Sequence, residues 1–169
     1  MSINLKDKVI SEFSNFEQKL NGSKSSLLHS IRKQALEYFS KTGFPTMKNE
    51  DWRFTNINFI NKYDFSFQFH PDDSNVTDAD IEKFLIKDYN QNLLVFVNGF
   101  YSQRLSKLKP KGERIWIGSF ADALNKRERL IEYYFNQYSN YEKDPFIALN
   151  TAYATDVACM CIFDSMEVV

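Results

Sequence analysis

The segment on which the fold depends reads Gly43-Phe-Pro-Thr-Met-Lys-Asn-Glu-Asp-Trp-Arg-Phe-Thr-Asn-Ile57. Its first residues predict the end of a helix, because Gly43 accepts the left-handed backbone that follows a helix and Pro45 cannot continue the helical hydrogen bonding. A cluster of charged and aromatic residues centred on Trp52 comes directly after this stop. We therefore interpret residues 43–57 as a junction between a helix and the rest of the domain.

Two interpretations of the cluster in this junction remain open. In the one we favour, Trp52 and Phe54 fill the space behind the preceding helices, and the charged side chains bridge or cap neighbouring backbone. In the other, the cluster docks a partner, because Trp and Arg are enriched at interface hot spots. The residues assigned to this structural signature or docking site are Gly43, Pro45, Lys48, Glu50, Asp51, Trp52 and Arg53.

Two amphipathic helices are predicted before the junction. Apolar residues recur at helical spacing between residues 3 and 20 and again between residues 27 and 39. Gly22 fits the end of the first helix, and Ser25 or Ser26 can cap the second. The short polar link between them predicts a helical hairpin.

After the junction, short extended segments and short helices follow one another, which predicts an α+β fold with helices around a small sheet. Residues 63–70 alternate strictly between aromatic and polar side chains, as expected of an extended segment with one aromatic face. Asn98-Gly99 predicts a tight hairpin turn, because both residues tolerate positive φ. The predicted elements are strands at 93–97, 100–105 and 114–117 in one sheet, helices beginning near Thr77, Ser119, Arg127 and Pro145, and a last strand at 157–163.

Composition and charge exclude several classes of protein. The 169 residues carry a net charge of −1, so the basic excess of a nucleic-acid-binding protein is missing. No window approaches the ~18 continuous apolar residues of a membrane span, and the first residues do not resemble a secretory signal. We expect a soluble cytoplasmic protein with no nucleic-acid or membrane partner.

No catalytic or phosphate-binding motif occurs in the sequence. Cys159 and Cys161 are too close for an internal disulfide, and soft metals usually need four ligands, so we interpret the pair as packing on one face of a strand. His29 is expected on the polar side of the second helix and His70 at a strand end. The cluster Lys126-Arg127-Glu128-Arg129 is interpreted as a solvated helix face. We predict no catalytic residue, no metal ligand and no bound cofactor.

Three segments carry a family signature. The first is Gly43-Phe-Pro-Thr-x-Lys-x-Glu-Asp-Trp-Arg-Phe-Thr55. The second is Leu94-Val-Phe-Val-Asn-Gly-Phe-Tyr-Ser-Gln-Arg-Leu-Ser106, and the third is Phe146-Ile-Ala-Leu-Asn-Thr-Ala-Tyr-Ala-Thr-Asp156. In this order and combination they resemble the amino-terminal part of the SufD family of iron–sulfur cluster assembly proteins.

The resemblance implies an amino-terminal α+β domain over residues 1–156 and, over residues 157–169, the first strand of a truncated right-handed parallel β-helix. Val157 departs from the glycine that the family usually has at this point. The resemblance also implies a non-catalytic scaffold subunit that works with SufB-like and SufC-like subunits. The family's SufC-binding helices and cluster-related residues lie beyond these 169 residues, so the iron–sulfur cluster is expected to be handled by the full complex.

Two alternative functions remain open beside this one. The chain is either an independent protein–protein interaction module that presents Trp52 or the aromatic extended segment, or a small ligand-binding domain with an aromatic pocket. The last strand, 157–163, is an open edge with unpaired backbone groups. We expect residues 157–169 to be disordered, to fold back on the small sheet, or to pair with a second copy of the chain.

Overall fold

A computed structural model describes residues 4–20, 27–89, 91–109, 115–135 and 137–163. No helix among these residues is both long and apolar enough to cross a bilayer. The backbone divides into a first unit, Met1–Phe69 with Arg129–Ala154, and a second unit, His70–Glu128 with Thr155–Val169. The helices are α1 (Leu5–Lys19), α2 (Leu27–Thr42), α3 (Asp78–Glu82), α4 (Phe120–Tyr134) and α5 (Pro145–Ala152), the 3₁₀ turns are Glu50–Trp52 and Asn58–Lys62, and the strands are β1 (Phe96–Val97), β2 (Phe100–Tyr101), β3 (Ile115–Ser119) and β4 (Ala158–Ile162).

Three helices, α1, α2 and α5, form the core of the first unit. Ala35, Ala148 and Ala152 are fully buried where they meet, and their small side chains let the helices approach closely. Larger side chains of α1 and α2 fill the remaining space. The two buried clusters consist of Phe13, Phe16, Ala35 and Ala152, and of Val9, Phe39 and Ala148. The two predicted helices are therefore confirmed, whereas the predicted stop at Gly22 and caps at Ser25 or Ser26 lie outside the described residues.

Local capping chemistry sets the helix ends that the sequence predicted. Gly43 has a φ of 68°, and its N–H donates to the Phe39 carbonyl over 2.7 Å, which ends α2. Pro145 is the first residue of α5, and the Asp144 carboxylate accepts from the first free N–H groups of that helix. Both predicted boundaries are confirmed.

The aromatic segment 63–70 is extended but pairs with no strand among the described residues. Phe67 and Phe69 stack on Tyr153 and reach the core of the first unit, with ring centroids 6.4 and 6.1 Å from that of Tyr153. Tyr63 and Phe65 remain exposed. Only half of the predicted aromatic face therefore packs against the core, and its two rings are half-buried.

The second unit contains two separate antiparallel pairs of strands. Asn98 and Gly99 both have positive φ and join β1 to β2, which confirms the predicted hairpin turn with strands shorter than expected. Strand β3 pairs with β4 over five residues, from Ile115 opposite Ile162 to Ser119 opposite Ala158.

Two predictions about the sheet are wrong. The third predicted strand does not join the hairpin, because β3 pairs with β4 and the described strands form two two-stranded sheets. The last strand is not part of a parallel β-helix in this structure, since β4 runs antiparallel to β3. Of the expected fates of residues 157–169, folding back is the one observed for β4, which pairs with the third strand predicted for the small sheet, whereas residues 164–169 lie outside the described residues. The physical reason is that β3 supplies the free backbone groups that β4 needs.

Helix α4 combines two helices that the sequence predicted separately. Ser119 caps its first turn, because the Ser119 hydroxyl accepts from the backbone N–H of Asp122 over 3.1 Å. The backbone leaves the helical conformation at Arg127, where φ is −148°. The second of the two helices was predicted to begin near Arg127, and the kink within α4 lies at that residue.

Candidate functional site

The junction over residues 43–57 begins with an aromatic contact between α2 and the start of α5. The Phe44 ring stands nearly perpendicular to that of Phe39, with 5.0 Å between the ring centroids. On its other side, Phe44 lies 5.8 Å from Phe146 in the first turn of α5. The chain that leaves α2 therefore packs at once against a helix that lies about a hundred residues further along.

Trp52 connects the junction to the same end of α5. Its indole Nε1 donates to Oδ2 of Asp144 over 3.1 Å, and its ring lies 5.2 Å from that of Phe146. The other carboxylate oxygen of Asp144 accepts from the N–H groups of Phe146, at 2.7 Å, and Ile147, at 3.2 Å. One carboxylate thus caps α5 and holds the half-buried indole of Trp52.

The charged residues of the junction point into solvent. The side chains of Lys48, Glu50, Asp51 and Arg53 are exposed, and none forms an ion pair within the described part of the chain. The guanidinium of Arg53 lies 4.6 Å from the ring centroid of Phe54, which is 88% exposed. The expectation that Phe54 fills the space behind the helices is therefore wrong.

A short turn that the sequence analysis missed shapes the junction instead. The Asn49 side chain accepts from the backbone N–H of Thr46 over 2.9 Å, and the Asn49 N–H returns a bond to the Thr46 carbonyl. This reciprocal pair is the turn chemistry expected of Asn and Thr. It fixes the backbone between Pro45 and the 3₁₀ turn that carries Trp52.

Asp156, in the second unit, was not singled out as a functional residue by the sequence analysis. Its Oδ2 accepts from the N–H of Tyr101 in β2 over 3.0 Å. Its Oδ1 accepts from the N–H of Phe120, at 2.8 Å, and of Val157, at 3.0 Å. The carboxylate therefore ties the hairpin, the start of α4 and the approach to β4 together, so we assign it a structural role.

His29 does not lie on the polar side of α2, and that prediction is wrong. Its side chain is buried, with Nε2 2.9 Å from Oε1 of Glu17 on α1. Lys33 Nζ lies 3.2 Å from the same oxygen. Burial and the charges of Lys33 and Arg32 lower the pKa of His29 and outweigh the opposing effect of Glu17. Burial opposes ionisation of Glu17, but the hydrogen bonds and charges of Lys33 and His29 outweigh it and lower the pKa of Glu17.

The chain is expected to lose stability as the pH falls from about 7 to about 5. The pKa of His29 is below its ordinary 6.5 in the folded chain. As the pH falls, His29 is therefore protonated in the unfolded chain at a higher pH than in the folded chain. The contribution of His29 to the free energy of unfolding is complete above pH 6.5 and is lost as the pH falls through the pKa of His29 in the folded chain. The corresponding contribution of Glu17 begins to be lost only near pH 4.5. Urea unfolding of wild type and His29→Gln across this range measures the effect.

The glutamine variant is the matched comparison, because its amide still donates toward Glu17 but does not titrate. We expect its free energy of unfolding to depend less steeply on pH than that of the wild type. Equal slopes for the two proteins would contradict the assignment of the effect to His29.

Arg32 is a second buried basic residue that the sequence analysis did not identify. It is 2% exposed, and its Nε and Nη2 donate to the Ala154 carbonyl, just after α5, over 3.2 and 2.8 Å. Its Nη1 has no hydrogen-bond partner among the described residues, and burial lowers the pKa of the guanidinium. The carbonyl groups at the end of a helix favour a cation, which accounts for this placement.

The two cysteines lie on one face of β4, as predicted, and both are half-buried and free. On the same face of β3, the Trp116 indole covers Gly118, where any Cβ would come within 2.6 Å of the ring. Burial, together with the charges of Cys161 and Asp156, raises the pKa of the Cys159 thiol and so disfavours the thiolate. Within the described residues, no group of three or more His, Cys, Asp or Glu side chains is placed to hold a metal ion.

Comparisons with known proteins agree on one family. The family model described as the SufBD protein N-terminal region matches residues 3–169. An iron–sulfur cluster assembly SufBD family protein of Synechocystis sp. is 28% identical over 144 residues, which is 85% of this chain and 31% of that protein. The chain thus spans about a third of the length of this relative. No solved structure matches the chain significantly.

Proposed function

The chain belongs to the family of SufBD protein N-terminal regions, and we propose that it is the amino-terminal domain of a SufD-like subunit of an iron–sulfur cluster assembly complex. The match over residues 3–169 is the observation that carries the proposal. The choice of SufD over SufB is supported by the three signature segments between residues 43 and 156. We propose a cytoplasmic location for the complex.

We propose that the domain acts as a non-catalytic scaffold. Three side chains of types that catalysis often uses form structural contacts in this domain. Asp144 caps α5, Asp156 binds three backbone N–H groups, and His29 pairs with Glu17. In this proposal the cluster is the cargo of the whole complex, and the partners are SufB-like and SufC-like subunits.

Co-purification tests this proposal. A tagged SufB-like subunit from the same organism is co-expressed with the SufC-like subunit and with the SufD-like subunit that carries this domain. We expect all three to be recovered together, and the purified 169-residue chain alone to have no ATPase activity and no cluster absorbance after incubation with iron and sulfide. Failure of the SufD-like subunit to co-purify would contradict the assignment. A stoichiometric cluster on the chain, lost in the Cys159→Ser, Cys161→Ser double variant, would contradict the scaffold role.

An independent protein–protein interaction module is the second candidate, and one observation favours it. Four aromatic side chains of the first unit that follow Trp52 are exposed, with Phe54 at 88% and Tyr63 at 62%, together with Phe59 and Phe65. Exposed apolar surface of this kind marks interaction sites. The affinity of the 169-residue chain for the SufB-like or SufC-like subunit can be compared with that of the complete SufD-like subunit. Equal affinities would favour an independent interaction module over a scaffold domain.

The ligand-binding alternative finds less support. The aromatic side chains Phe13, Phe16, Phe69 and Tyr153 pack on one another in the first unit, with ring centroids 5.1 to 6.1 Å apart in the contacting pairs. Their side chains belong to or pack against one buried core cluster of that unit. A cavity in the second unit is lined by aliphatic and charged side chains, not by aromatic ones.

A further inference from the structure

A cavity of about 230 Å³ lies between α3 and the segments that flank the β1–β2 hairpin in the second unit. We call it the α3 pocket. Its apolar lining includes Leu85, Leu93 and the fully buried Leu105. Pockets for drug-sized ligands span roughly 300–1,000 Å³. The α3 pocket is smaller and suits a single aliphatic side chain.

The charged lining of the α3 pocket favours a cation. Asp78, Glu82 and Lys107 contribute two negative charges and one positive charge. Lys107 Nζ is 4.0 Å from Asp78 Oδ1, and both side chains are largely exposed, so this pair is weak. Glu82 forms no ion pair with any residue that the structure describes. The pocket therefore offers one uncompensated carboxylate beside an apolar cavity.

Apolar surface continues along the chain from the pocket. Leu85 lines the cavity, whereas its neighbours Phe84 and Ile86 are 77% and 66% exposed. Tyr89, three residues further on, is 70% exposed. A free small molecule would leave these side chains in water, but a polypeptide that follows the chain could cover them. This favours a protein segment over a metabolite as the occupant.

We propose that the α3 pocket is a docking site for a segment of a partner protein that inserts one aliphatic side chain and places a Lys or Arg beside Glu82. The aliphatic side chain fills the leucine-lined cavity, and the basic residue pairs with the exposed carboxylate. Anchor side chains in small desolvated pockets carry much of the energy of protein interfaces. The site goes beyond the scaffold function, because it rests only on residues of the second unit and would exist whichever complex the chain joins.

Methyl NMR of the full chain tests the site with three end-blocked pentapeptides, Gly-Lys-Leu-Lys-Gly, Gly-Glu-Leu-Glu-Gly and Gly-Lys-Ala-Lys-Gly. We expect the first peptide to shift the methyl signals of Leu85, Leu93 and Leu105. The acidic peptide should bind about 3- to 5-fold more weakly, as expected for exposed charges. The alanine peptide should bind about 10-fold more weakly or worse, because it lacks the buried side chain.

Two variants and one control make the test decisive. Glu82→Lys should reverse the preference between the basic and acidic peptides, whereas Glu128→Lys, the same charge change at another exposed position of the second unit, should not. Ala79→Leu, at the pocket wall, should fill the cavity and abolish the shifts. Equal binding of all three peptides, shifts confined to methyl groups away from the pocket, or no effect of Glu82→Lys would overturn the proposal.

Discussion

Replacing Phe39 by alanine is expected to lower the free energy of unfolding by about 3–5 kcal/mol. Phe39 is fully buried on α2 and contacts Val9 of α1 and Ala148 of α5. Its ring also packs edge-on against Phe44, the first aromatic residue of the junction. The substitution would therefore leave a cavity where three helices and the junction meet. Since whole domains are stable by only about 5–15 kcal/mol, this is a large fraction of the total.

Phe54→Ala is the matched control, because it makes the same chemical change in the same unit at a side chain that is 88% exposed. We expect it to change the free energy of unfolding by less than about 0.5 kcal/mol. Urea unfolding followed by circular dichroism measures both variants. Similar losses for the two, or a larger loss for Phe54→Ala, would contradict the packing described for the first unit.

The helix ends and the hairpin turn could be predicted because their causes are local. Gly43 and Asn98-Gly99 have positive φ, which only a few residue types tolerate, and Pro145 occupies the first helical position, where its missing N–H costs nothing. These preferences belong to the residue and its immediate neighbours. They do not depend on contacts with residues far away in the sequence.

Strand partners could not be predicted in the same way. Alternation in the last strand correctly indicated that Cys159 and Cys161 share a face. It said nothing about which strand would satisfy the backbone groups of β4. The partner, β3, lies about forty residues away, and its choice depends on the folded arrangement of the second unit. The expectation of a parallel β-helix came from a resemblance and not from such contacts.

The burial of Arg32 could have been predicted from its position in the sequence of α2. Leu28, Arg32, Ala35 and Phe39 follow the spacing of one helical face, and all four are buried. A charged residue on a helical face normally indicates that this face is not buried. It is tolerated here because the Ala154 carbonyl, far away in sequence, accepts two hydrogen bonds from Arg32. The position could have been predicted from spacing, but the partner could not.

The Trp52→Ala variant is expected to lose about 2–3 kcal/mol of stability, less than a fully buried tryptophan would, because the side chain is half-buried. The substitution removes the ring contact with Phe146 and the hydrogen bond from the indole to Asp144. It would also detach the 3₁₀ turn Glu50–Trp52 from the start of α5, where the contact between Phe44 and Phe146 would still hold the junction. Asp144 would keep its role as the cap of α5, so the helix itself should persist.

Trp52→Phe separates the two contributions. Phenylalanine retains most of the packing against Phe146 but cannot donate to Asp144. We expect it to cost about 1 kcal/mol, the usual contribution of one hydrogen bond. A loss as large as that of Trp52→Ala would mean that the hydrogen bond, and not packing, dominates the anchor.

The free energy of unfolding of Trp52→Ala, measured together with its recovery on a tagged SufB-like subunit, tests most directly whether residues 43–57 are an architectural junction. We expect a loss of about 2–3 kcal/mol, with recovery unchanged under conditions in which the variant remains folded. Unchanged stability with loss of partner recovery would contradict this role. It would assign Trp52, with the exposed Lys48, Glu50, Asp51 and Arg53, to a docking surface instead.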